Sequence, residues 1–149
     1  MNMVSTDLLK RVSLFSDLTD GQLARIASLC REEIHDKDDV IVREKEPSTE
    51  LYIIQDGSAQ VILGSPSLPG PTPIVHLGKG QIFGEVALVD QGLRSATVKA
   101  VADGTKLYVI NRDDFIALCD QDPHIGYIVM RNVAADLSFK LRHYNLTWR

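Results

Sequence analysis

Cysteine is scarce in this chain of 149 residues: only Cys30 and Cys119 are present. Two cysteines cannot build a disulfide framework, and each falls inside an amphipathic helical pattern, where it reads as a small buried hydrophobe. Long apolar runs are missing. Nothing approaches the roughly 18 residues of a membrane span, and the N-terminus lacks the apolar core of a signal peptide. A soluble, cytoplasmic protein with no membrane partner is the expectation. Positive charge is not in surplus either: 16 Lys and Arg stand against 20 Asp and Glu, a net charge of −4, so no sequence-independent pull toward nucleic acid arises. The four histidines, His35, His76, His124 and His143, are scattered, so no metal centre is expected. Gly78-Lys79-Gly80 lacks the spacing and following hydroxyl of a Walker loop, and no nucleophile stands with a base. These absences predict neither catalytic residues, nor a metal, nor a cofactor.

What the chain does contain is enough to fold. Hydrophobic residues make up 44% and charged ones 24%, values that exclude wholesale disorder and suit a single domain over residues 1–149. Residues 1–32 read as a helical entry. Thr19 with Gln22 three residues on makes a capping box, and Leu23, Ile26, Ala27 and Cys30 follow at helical spacing. Residues 33–111 change to short β-type runs: Val40 to Val42, Leu51 to Ile54, Ala59 to Leu63, Ile74 to Leu77, Ala96 to Val101 and Lys106 to Ile110. Turn signals such as Asp56-Gly57, Asp103-Gly104 and the loop from Gly64 to Pro73 separate them. Residues 112–149 return to helical spacing. Asn111 is placed to cap one helix, and Pro123 opens a longer one with Ile125, Ile128, Val129, Val133, Leu137, Leu141, Tyr144 and Trp148 three or four apart. The predicted fold is α+β: a β-roll, jelly-roll-like, flanked by N-terminal helices and a C-terminal helical lid.

The most informative stretch runs from Gly80 to Thr97. Gly84 lets backbone approach a ligand without a Cβ in the way. Val86, Ala87 and Leu88 suit one helical turn, whose first amides form an anion site. Arg94 supplies a permanently charged, bidentate partner for a phosphate, and Glu85 an acceptor for a hydroxyl. A ligand with a ribose hydroxyl at one edge and a single phosphate at the other satisfies both. The plainer alternative is that Glu85 and Arg94 pair with each other as a structural salt bridge.

The segment Leu77-Gly78-Lys79-Gly80-Gln81-Ile82-Phe83-Gly84-Glu85-Val86-Ala87-Leu88, continued by Arg94-Ser95-Ala96-Thr97-Val98, closely resembles the phosphate-binding cassette of cyclic nucleotide-binding domains. That family includes bacterial catabolite activator proteins, protein kinase A regulatory subunits and cyclic-nucleotide-gated channels. Leu14 to Leu18 resembles its helical entry and Leu51 to Gly57 its strand and glycine turn, so the resemblance covers nearly the whole chain. It implies that Glu85 binds the ribose and Arg94 the phosphate. Phe83, Gly84, Val86, Ala87, Ser95 and Ala96 complete the implied cyclic-nucleotide site. Val75 and Leu77 fall where the family packs the purine. In the family, threonine after the arginine is linked to cyclic GMP. Ser95 is a smaller hydroxyl there, so cyclic AMP is favoured over cyclic GMP.

The resemblance also implies a final helix that caps the base and moves on binding. Leu141, Arg142, Tyr144 and Trp148 are candidates to stack on a purine. Val133, Leu137, Leu141, Tyr144 and Trp148 could instead form a homodimer seam, or dock on the roll, and the nucleotide-independent alternative is an interaction or dimerisation module acting on an unknown effector. Many bacterial members carry a helix-turn-helix after the long helix. Here the sequence stops at Arg149, so no DNA binding is expected, and the start at Met1 suggests a free-standing protein. The chain departs from the family at Lys45, Pro47 and Ser48, where glycines are usual. That turn is remote from the cassette in sequence, which favours an altered loop over a loss of binding.

Overall fold

A computed structural model describes residues 6–47, 49–63, 74–89, 92–94 and 96–145. Ser48, the Gly64 to Pro73 loop, Ser95 and Trp148 lie outside the described residues, as does the side chain of Tyr144. The helical entry consists of two helices. Helix α1 (Thr6–Lys10) leads through a 3-10 turn (Ser13–Phe15) to α2 (Asp20–Ala27). Asp17 between them takes a left-handed φ of 74°, which ends helical propagation there. The capping box forms: Thr19 Oγ1 accepts from the Gln22 amide at 3.1 Å, and Gln22 Oε1 accepts from the Thr19 amide at 3.0 Å.

Eight strands follow: β1 (Arg31–His35), β2 (Val40–Val42), β3 (Glu50–Asp56), β4 (Ala59–Leu63), β5 (Ile74–Leu77), β6 (Ile82–Phe83), β7 (Ala96–Ala100) and β8 (Thr105–Asn111). All pairings are antiparallel, in two sheets ordered β1-β8-β3-β6 and β2-β7-β4-β5. The sheets form the expected roll and do not close into a barrel. Strand β1 carries no apolar run, and β6 is two residues inside the cassette. Pairing with β8 and β3 makes them strands, which local pattern does not signal.

Strands β3 and β8 lie at the centre and are buried on both faces. Tyr52, Ile54, Leu107 and Val109 face the second sheet, where they meet Val42, Ala59 and Val98. Leu51, Ile53, Tyr108 and Ile110 face the helices and pack with Leu9, Phe15, Ile26, Phe115 and Ile125. Burial on both faces explains why these strands read as unbroken apolar runs.

Two helices close the fold, α3 (Arg112–Gln121) and α4 (Pro123–Asn145). Asn111 Oδ1 caps α3 by accepting from the amides of Asp113 and Asp114 at 2.9 and 3.2 Å. Helix α4 docks through Ile125, Val129 and Val133, which are 0–2% exposed, and its apolar anchoring ends with the half-buried Leu137. No described helix is long and apolar enough to cross a membrane.

Candidate functional site

The cassette is held by a close approach that only glycine permits. Gly84 has φ 82°, ψ 12°, and opens a 3-10 turn over Glu85–Leu88. A Cβ at this position would lie 2.6 Å from Arg94 Nη1 and 2.7 Å from the Glu50 carbonyl oxygen. The missing side chain is therefore the space the guanidinium occupies. Arg94 Nη2 donates to the Glu50 carbonyl at 2.9 Å, and its guanidinium carbon lies 5.7 Å from the centre of the Tyr52 ring. Tyr52 in turn stacks on Phe83, with ring centroids 4.8 Å apart and planes within 7°, and donates to Glu50 Oε1 at 3.2 Å.

Arg94 is 9% exposed, and its desolvation pulls the pKa down from the usual guanidinium range, opposed by Tyr52, Glu50, Glu85 and Glu46. It stays protonated all the same. Among the described residues no carboxylate forms an ion pair with it. A buried cation held by a carbonyl and an aromatic face, with no acid partner, is costly unless an anion arrives.

The main chain of Arg94 is pinned from both sides. Its amide donates to the Glu46 carbonyl at 2.7 Å, and its carbonyl accepts from the Lys45 amide at 2.8 Å; Pro47 and Leu93 form an isolated bridge beside them. The segment Lys45 to Pro47, remote in sequence, is thus the direct backbone support of the cassette arginine. Distance along the chain misleads here because the turn before β3 folds back along the strand leading into β7. Lys45 itself takes φ 72°, a conformation that glycine adopts without strain.

Glu85 does not pair with Arg94. Its Oε1 accepts from Lys140 Nζ of α4 at 3.0 Å, and its side chain is 13% exposed. Lys140 also meets Asp136, one turn back on α4, at 3.0 Å. All three residues line a cavity of about 390 Å³ between the roll and α4, within the size range of small-ligand sites. Val75 and Leu77 of β5 form an apolar part of its wall, and Arg11 and Asn132 add polar groups. A smaller cavity of about 160 Å³, beside Asp7, Gln55 and Tyr108, shares only Arg11 with it.

The remaining sequence-predicted residues divide by burial. Phe83 and Ala87 are buried, and act by packing. Val86, within the turn, is 43% exposed. Ala96 sits in β7 opposite Leu63. Leu141 and Arg142 are exposed on α4 and line neither cavity. The α4 residues that do reach the cavity are Asn132, Asp136 and Lys140, which sequence reasoning missed. Their signal was available: a polar stripe at spacing four, beside the apolar stripe of Val129, Val133 and Leu137.

Comparison with known proteins bears on this geometry. The profile described as "Cyclic nucleotide-binding domain" matches residues 32–122, more than half of the chain. A candidate potassium channel protein of Rhodopseudomonas palustris is 38% identical over 124 residues, 83% of this chain and 29% of the channel protein. Human cGMP-dependent protein kinase 2 is 33% identical over 109 residues, 73% of this chain and 14% of the kinase. The chain thus spans less than a third of these relatives. The crystal structure of the Thermus thermophilus catabolite activator protein superposes with a TM-score of 0.79 at 29% identity, covering 91% of this chain and 61% of that one. The sequence match, the two-sheet roll and the turn at Gly84 together establish that the chain belongs to the cyclic nucleotide-binding domain family.

Proposed function

We propose that the protein is a regulatory sensor whose cyclic nucleotide lies between the roll and α4, with its ribose hydroxyl on Glu85 and its phosphate on Arg94. The backbone of Gly84 to Ala87, with Ser95 and Ala96, lines the phosphate, and Val75 and Leu77 pack the base. One observation carries this reading: Arg94 is a buried guanidinium, without an acid partner among the described residues, set against the Gly84 turn. Among the described residues no carbonyl accepts from the amides of Glu85 and Val86, the polarity that suits an anion. Cyclic AMP is the favoured ligand over cyclic GMP, on the smaller hydroxyl of Ser95, and the signal leaves through movement of α4.

Calorimetric titration with each nucleotide, on the wild type and on Arg94→Ala, tests the assignment. Removing one member of a buried charge pair costs about 2–5 kcal/mol, so affinity should fall on the order of 30- to several-thousand-fold. Unchanged affinity in the variant, or no binding by either protein, refutes it. A second reading, a homodimer seam along α4, draws on the exposure of Tyr127, Phe139 and Leu141 at 60–64%. Sedimentation equilibrium of the wild type, compared with Phe139→Ser, decides that point.

A further inference from the structure

We infer that Lys140 is an affinity-setting residue: it occupies the Glu85 carboxylate in the unliganded protein and is displaced by the ligand's hydroxyl, which frees the end of α4. The inference rests on the reading of Glu85 as the ribose contact. Its basis is the position of one ammonium group, 3.0 Å from Glu85 Oε1 on the roll and 3.0 Å from Asp136 Oδ2 on α4. The lysine side chain therefore spans from helix to cassette along the wall of the cavity that Val75 and Leu77 line from the other side. A sugar entering between them meets a carboxylate whose charge is already engaged. A hydroxyl bonded to a carboxylate has one ionised partner and an ammonium bonded to it has two, so the lysine competes on favourable terms.

Displacement is nevertheless inexpensive for Lys140. Asp136 lies four residues earlier on the same helix, with the acid N-terminal to the lysine, the orientation that suits such a pair. The ammonium keeps one acid partner when it gives up the other. For α4 the consequence is larger. Val133 is the last buried residue described on α4 and Leu137 the last one packed against the core, while residues 138–143 are exposed. Among the described residues, Lys140 to Glu85 is the one hydrogen bond or ion pair joining α4 beyond Leu137 to the roll. Breaking it leaves the last two turns with no polar tie to the cassette. Ligand entry and release of the helix end are then a single exchange of partners at Glu85.

Lys140→Met keeps most of the aliphatic stem and removes the charge at a half-exposed position, where folding is not at stake. Titration with cyclic AMP should show the variant binding about two- to fivefold tighter than wild type, the range expected for losing a partly exposed competing ion pair. Amide exchange over residues 138–145 should be faster in the ligand-free variant than in the ligand-free wild type. Equal or weaker binding by Lys140→Met overturns the inference while leaving Glu85 as the ribose contact, since the wild type still binds. Failure of both proteins to bind cyclic AMP and cyclic GMP overturns the ribose reading itself.

Discussion

Replacing Gly84 by alanine adds one methyl group at the point where three parts of the site converge. The new Cβ would stand 2.6 Å from Arg94 Nη1 and 2.7 Å from the carbonyl oxygen of Glu50, both well inside contact distance. The two neighbours differ in how far they can yield. Glu50 is a backbone position in β3, paired with Asn111 of the adjacent central strand β8, so its carbonyl moves only at the expense of the sheet. The guanidinium is the end of a flexible side chain and gives way first. The left-handed φ of 82° adds about 1–2 kcal/mol for any residue with a Cβ. Strain from the fixed carbonyl adds roughly 1–3 kcal/mol, as overpacking does in well-packed interiors. Gly84→Ala should therefore lose about 2–5 kcal/mol of stability, a fall in Tm of roughly 5–15 °C for a domain of this size. Chemical denaturation measures the first quantity and calorimetric titration with cyclic AMP the second effect, a loss of affinity caused by the displaced guanidinium. The double variant with Arg94→Ala sharpens the test. Removing the arginine relieves one contact and leaves the carbonyl and φ terms, so the two changes should be less than additive in stability. A Gly84→Ala protein as stable as wild type, or an additive double variant, would refute the geometry.

Three further outcomes follow from the same structure. Arg94→Ala, which abolishes tight binding on the proposed reading, should change unliganded stability by less than about 2 kcal/mol, because a buried unpaired cation contributes little net stabilisation; urea denaturation showing a larger loss would make the arginine a structural residue. Lys45→Gly relieves a left-handed φ of 72° and should raise stability by up to about 1 kcal/mol with nucleotide affinity unchanged, measured by thermal melting and titration. Burial, followed by the charges of Glu50 and Glu33, pushes the Tyr52 phenol from its ordinary 10 up to about 12. The unfolded chain then loses this proton first, so it binds fewer protons than the folded one and stability falls between pH 10 and about 12. Urea midpoints across that window should fall less steeply in Tyr52→Phe than in wild type.

The parts of this fold that were legible in the sequence are those whose determinants are local. Thr19 with Gln22, and Asn111 before Asp113 and Asp114, cap helices through bonds spanning two or three residues, and both form as read. The runs in β3 and β8 announce themselves because both faces are buried. Illegible were the elements whose reason lies elsewhere in the chain. Arg31–His35 is a strand because β8 needs a partner, and its charged residues give no apolar signal. The cassette shows the same division. Gly84, Glu85 and Arg94 are readable as a motif, yet their partners are not: the Glu50 carbonyl, the Tyr52 ring and Lys140 lie 44, 42 and 46 positions from Arg94, counted along the sequence. The contact of Lys45 and Glu46 with the cassette was illegible for the same reason, since only the folded chain brings them against the arginine backbone.

On the proposed reading the phosphate and ribose ends of the site stand in different states, and the difference bears on signalling. At the phosphate end, the fold has already borne the desolvation of Arg94 and supplies no acid among the described residues, so an arriving anion gains nearly the full interaction. At the ribose end, Glu85 is engaged by Lys140, so a hydroxyl gains only the difference between two bonds. On the proposed reading, affinity comes chiefly from the phosphate, while the hydroxyl moves the helix. A ligand shifts a conformational equilibrium only by its differential interaction with the two states. The Arg94 contact lies on the roll and is the same in both; the Glu85 contact exists in one alone. A cyclic nucleotide lacking the 2′-hydroxyl should therefore bind through Arg94 yet leave amide exchange at residues 138–145 near its ligand-free value. A change in exchange there as large as the one cyclic AMP produces would place the switch somewhere other than Glu85.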